Sequence, residues 1–260
     1  MRVRAIIAKE WEEIVKNRSV FWGVVLLPLL LTALFTGILF FMHLEVQRTG
    51  TLSTNGPLPG YLQGLPTADA VQIMLLNQFV IYFLMAPLAL PIYIAAHSII
   101  GEKQTRSLEP LLATPVRTWE LLLGKAVAAV VPPVVSAWVS YALFALGASQ
   151  LVSPSVMSQV VLNPTWVLCI LFLSPLFGML SVLVGVIASS RLNDARAAQQ
   201  WSALFIMPVV GMGMALMLGV ISLSWWTFAG AVALLLVVDA AVLYAAVRLF
   251  RREVILTKWR

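Results

Sequence analysis

GEKQTRSLEPLLATPVRTWELLLGK, Gly101 to Lys125, sets seven charges within 25 residues of a chain that is 61% hydrophobic and 11% charged. Four are basic (Lys103, Arg106, Arg117, Lys125) and three acidic (Glu102, Glu109, Glu120), and long apolar runs lie on both sides. A charge at the centre of a membrane helix costs about 3 kcal/mol. Seven therefore exclude the stretch from hydrocarbon, and the runs that flank it become crossings leading to and from a polar island.

Working outward, six runs are long enough to cross: roughly 19–42, 77–100, 121–148, 165–190, 201–221 and 225–247. A spanning helix needs about 20 mostly apolar residues. These runs are continuously apolar rather than alternating, which excludes a membrane β-barrel. The expected fold is all-α, with the first run a retained helix, too long for the apolar region of a leader and without a small-x-small cleavage site. Of the seventeen Lys and Arg, only Arg48 lies in the loop after the first run. The other sixteen fall in the N-terminal segment, the island, the 191–200 loop and the tail 248–260, which six crossings place on one side. The excess of Lys and Arg assigns that side to the cytoplasm. Orientation and anionic lipid account for the net charge of +6, leaving nothing that requires nucleic acid. The single Cys169 lies within a span and excludes a disulfide framework.

The island has internal order. Leu108, Leu111 and Leu112 follow the i, i+3, i+4 spacing of a short helix. Thr114 is a good N-cap and Pro115 suits a first helical position, so a second helix starts there and leads into the third span. The pattern predicts a short helix held between two spans, with Glu and Arg around its leucines forming a docking surface.

Residues 1–18 read as an amphipathic helix in the cytoplasmic interface. Val3, Ile6, Ile7, Trp11, Ile14 and Val15 lie on one face, with Arg, Lys and Glu on the other. The loops at 44–76, 149–164 and 222–224 make a small outer face with no receptor-like domain. Prolines 28, 87, 91, 132, 133, 175 and 208 fall within spans and are expected to kink them. Gly178, Ser181 and Gly185 recur about once per turn, as at a close helix–helix contact.

Catalytic and ligand motifs are missing from the sequence. Gly124-Lys125 is followed by Ala126 and lacks the leading glycine of a phosphate loop. His43 and His97 belong to opposite membrane faces, so no metal site is expected. Asp239 lies near the middle of the last run and costs about 2.5–3.5 kcal/mol to insert. It reads either as a gating or ion site or as a single hydrogen bond to a neighbouring helix. Met207 and Met212, with Met214 and Met217, read either as a flexible wall for apolar cargo or as ordinary lipid and core contacts.

The island resembles the cytoplasmic signature of type-2 permeases of ATP-binding-cassette transporters. The similarity is carried by Gly101, Glu102, Ser107, Leu108, Glu109, Leu111, Leu112, Pro115, Glu120, Gly124 and Lys125. Arg106 stands where that signature usually has glycine. The later loop SSRLNDARAAQQ is similar at Arg191, Asp194, Arg196, Ala198, Gln199 and Gln200. The resemblance implies one permease domain over 1–260 in the cell (inner) membrane, with both termini cytoplasmic. It implies a substrate pathway formed by a dimer of identical or related subunits, and export rather than import. It also implies an island helix seated on a separate ATPase subunit that carries ATP and Mg, with coupling through Glu102, Lys103, Arg106, Leu108, Glu109, Leu111 and Leu112. Arg191, Asp194 and Arg196 would form a secondary cytoplasmic loop.

Two other classes stay open at this level. A secondary transporter or channel would need paired intramembrane charges or inverted repeats with interrupted helices. A non-transporting scaffold or assembly factor would bind no ATPase.

Overall fold

The N-terminal segment and the first span are separate helices joined at one residue. Helix α1 (Arg2–Lys16) ends at Asn17, whose backbone is extended (φ −85°, ψ 94°) and whose side-chain oxygen accepts from the N–H of Val20. That cap starts α2 (Arg18–Thr49) and satisfies one of the donors a helix N-terminus leaves free. The computed structural model describes residues 2–52, 60–104, 118–191, 200, 204, 207–212, 214–215, 220 and 224–249.

Helix α3 (Thr67–Gln104) leads to the island and α4 (Thr118–Ala148) leads away from it. The next passage is segmented. Short α5 (Pro154–Val156) runs into a π-helical turn (Met157–Val161). Then α6 (Pro164–Leu168), capped by Asn163, runs through a second π-helical turn (Cys169–Leu173) into α7 (Ser174–Arg191). The last long helix is α8 (Trp225–Leu249). Five passages among the described residues are long and apolar enough to cross a membrane. They coincide with five of the six runs; the other, 201–221, is only partly within the described residues, with 207–212 helical.

Hydropathy marks the crossings but not the helix ends. The 32 residues of α2 extend about 48 Å at 1.5 Å per residue, against about 30 Å of hydrocarbon. The helix continues through the polar HLEVQRT and stops where Gly50 takes φ +74° and its N–H bonds the Val46 carbonyl at 2.8 Å. The outer loop expected over 44–76 is therefore shorter than the polarity suggests. Beyond it, Asp69 at the start of α3 accepts from the hydroxyls of Ser153 and Ser155 at 3.2 and 3.0 Å, tying α3 to the α5 segment.

Two cores of different texture hold the bundle. Away from the island Phe35, Phe79, Phe83, Tyr141 and Phe144 interlock α2, α3 and α4, with Phe35 and Phe79 stacked at 4.1 Å between centroids. On the island side the core is mostly small: Ala95, Ala126, Ala129, Val130, Val182 and Val186 with Ile14, Val20, Val24, Ile94 and Val134. Small side chains let helix axes approach closely. Helix α7 uses its glycines this way on two sides: a Cβ on Gly185 would lie 3.2 Å from the Ile92 carbonyl oxygen on α3, and a Cβ on Gly178 would lie 2.8 Å from Val130 Cγ1 on α4. Between these glycines Ser181 Oγ accepts from the Ile92 N–H at 2.9 Å.

Two of the span prolines are stapled rather than loose. Pro28 cannot donate to the Val24 carbonyl four residues back; Ser136 Oγ on α4 donates to it instead, at 2.9 Å. Pro132 likewise cannot serve the Ala128 carbonyl, and Trp11 Nε1 on α1 donates there at 3.2 Å. Each carbonyl freed by a proline thus becomes the acceptor of an interhelical bond. Ser136→Ala strands the Val24 carbonyl in hydrocarbon, and about 1–3 kcal/mol of stability is expected to go with it. A denaturant titration of the purified full-length chain measures this, and Ser136→Thr, which keeps the hydroxyl, should restore most of it.

Candidate coupling site at the roots of the polar island

The two roots of the island come together around a buried ion pair. Lys125, seven residues into α4, places Nζ 2.6 Å from Glu10 Oε1 on α1, with both side chains only 6% exposed. Ser98, six residues before the end of α3, donates from Oγ to Glu10 Oε2 at 2.8 Å and accepts from Lys125 Nζ at 2.7 Å. One closed network therefore joins α1, α3 and α4 about two helical turns from residues 105–117, which connect α3 to α4.

The doublet Gly124-Lys125 has a physical reason here. A Cβ on Gly124 would lie 2.8 Å from Ile6 Cγ2, so glycine lets α1 settle onto α4. One turn along α1 from Ile6, Glu10 then meets Lys125. A buried pair repays its desolvation only with close geometry and further hydrogen bonds, and Ser98 supplies one to each partner. Glu10 lies on the apolar stripe of α1, four residues after Ile6 and four before Ile14, whereas the sequence places the acids on the opposite face. A charge inside an apolar stripe was the signal that could have found it. Its partner could not be read, because Ser98 and Lys125 are 88 and 115 residues away.

The named site residues fall in several places. Glu102 and Lys103 belong to the last turn of α3 and Arg191 ends α7, but their side chains lie outside the described residues, as do Arg106, Leu108, Glu109, Leu111, Leu112, Asp194 and Arg196. The Thr114-Pro115 break and residues 250–260 of the tail lie outside them too. Asp239 is on α8, 8% exposed, with neither carboxylate oxygen hydrogen-bonded among the described residues. Met207 is 72% exposed; Met212 is half-buried. Among the described residues no group of His, Cys, Asp and Glu could hold a metal.

The arrangement is mechanical rather than catalytic. It ties the island-side ends of three helices to one another, next to the charged stretch between α3 and α4. No protein of curated function matches the sequence. A family model does: the one described as ABC-2 family transporter protein matches residues 4–229 and so takes in α1, the network, the island and every crossing up to the first turn of α8. With that match, this multi-pass membrane chain belongs to the ABC-2 transporter family.

Proposed function

We propose that the chain is the membrane-spanning subunit of an ATP-driven exporter, working as a dimer with an identical or related subunit. It carries no phosphate loop in its sequence, so ATP and Mg belong to a separate ATPase subunit that docks on the island from the cytoplasm. Both termini are cytoplasmic and the membrane is the inner, or cell, membrane. Export fits an outer face made of short loops without a domain to receive delivered cargo.

The observation that carries this reading is the Glu10–Ser98–Lys125 network. An ATPase can drive a permease only by binding its conformations with different free energies. That difference reaches the bilayer only through a contact stiff enough not to absorb it. A force on residues 105–117 acts on α3 and α4 at once, and the network commits α1 to the same movement. Glu102, Lys103, Arg106, Leu108, Glu109, Leu111 and Leu112 form the docking surface, with Arg191, Asp194 and Arg196 adding a second cytoplasmic contact.

Copurification tests it. The wild-type chain is expected to bring down a soluble ATPase, and the combined Glu102→Ala, Leu108→Ala and Leu111→Ala variant to lose it while staying in the membrane. If no ATPase associates with the wild-type chain under any nucleotide condition, the chain is not a subunit of this kind.

A further inference from the structure

We infer that this chain holds one anionic phospholipid from the leaflet on the α1 side, with an acyl chain lying in a groove between α2 and α4 beneath α1. The groove has a volume of about 480 Å³, and its walls are apolar apart from Ser136 and Ser140. Trp11 and Val15 form its mouth, Phe21 and Leu29 one wall, and Val135 the other.

Its length fits one leaflet. From the Ala128 carbonyl, where Trp11 bonds, to Ser140 at the far end is twelve residues of α4, or about 18 Å of helix. Half of a hydrocarbon core is about 15 Å. The groove is also held open. Ser136 Oγ is committed to the Val24 carbonyl at 2.9 Å, and Thr32 Oγ lies 3.2 Å from the Ser140 carbonyl, so α2 and α4 are cross-linked along its floor.

Charge at the mouth selects the headgroup. Arg18 lies one turn before Phe21 on the face of α2 that continues through Val25 and Leu29 into the groove. It is exposed and pairs with no acid among the described residues. The neighbouring Lys16 is held by Glu12 at 2.7 Å, and Lys9 by Glu13 at 3.3 Å; Arg18, on the helix that forms one wall of the groove and one turn from Phe21, is the cation placed for a phosphate. This inference does not depend on ATP coupling or on which side is cytoplasmic, so its failure and that of the exporter reading are separately visible.

Native mass spectrometry of the purified full-length chain decides it, after exhaustive delipidation and titration with palmitoyl-oleoyl phosphatidylglycerol or phosphatidylcholine. The wild type is expected to retain one phosphatidylglycerol per chain in preference to phosphatidylcholine. Arg18→Gln should lower that preference about fivefold. Val135→Trp and, from the opposite wall, Leu29→Trp fill the groove from positions that are 46% and 37% exposed; each should abolish retention without changing the melting temperature of the chain. Because the two act from different helices, misfolding of one leaves the other to decide. Equal uptake of both lipids by the wild type overturns the inference, as does unchanged retention in a folded groove variant. If filling the groove instead converts a dimer to a monomer, a second copy of the chain occupies it and the lipid assignment is wrong.

Discussion

Replacing Lys125 with Met is expected to cost about 3–5 kcal/mol, because it leaves the Glu10 carboxylate buried without its counter-charge. The side chain of Glu10 is only 6% exposed and keeps just the Ser98 hydroxyl as partner, a neutral donor in place of an ammonium at 2.6 Å. Glu10→Gln alone should be damaging for the mirror reason, leaving the buried Lys125 ammonium without its carboxylate. The double variant Glu10→Gln with Lys125→Met removes both charges and is expected to recover most of the loss, since a buried pair replaced as a whole is often close to neutral. Denaturant unfolding of the full-length chain and of all three variants closes a double-mutant cycle. A coupling energy near zero would mean that α1, α3 and α4 are not bound into one unit here. The same cycle separates stability from transmission: a double variant that folds and binds the ATPase, yet responds less to it, assigns the network to force transfer.

The second large effect is one of sign. Gly185→Ala is expected to destabilise by about 1–3 kcal/mol through overpacking, although alanine is the better helix former by about 1 kcal/mol. The new methyl would meet three atoms of Ile92 between 3.0 and 3.3 Å, two of them backbone. Backbone cannot rotate away, so α3 and α7 must separate, and the neighbouring bond from the Ile92 N–H to Ser181 Oγ lengthens with them. Gly37→Ala on α2 is the control. Nothing lies within 4 Å of its Cβ position, and the same substitution should there be neutral or stabilising. Thermal unfolding of the two variants in one detergent reads the contrast. Equal shifts would show that the α3–α7 spacing is not set by the glycine.

The small-residue stripe was legible because its meaning is local: Gly178, Ser181 and Gly185 share a face whatever they face. The crossings were legible for a similar reason, since about 20 apolar residues have one low-energy environment. The ends of α2 and α3 were not, because a helix leaving hydrocarbon continues in water until a cap such as Gly50 stops it. The two π-helical turns between Met157 and Leu173 carried no composition signal at all. Prolines read as expected kinks; at Pro28 and Pro132 the freed carbonyl is taken by a side chain of another helix, and which one serves it depends on that neighbour.

For this chain, composition and charge order determined that it is an all-helical membrane protein, and they set the expectation that the polar island stays out of the bilayer. Those are properties of transfer between water and lipid, and transfer free energy is nearly additive along a sequence. The tertiary structure decided that the island's roots are tied to each other and to α1. Glu10, Ser98 and Lys125 are separated by 27 to 115 residues, and their interaction exists only where packing brings them within hydrogen-bond reach. A charge on an apolar stripe is a liability when read alone and a fastening once its partners are in place. Only the folded bundle supplies the distances that turn one into the other.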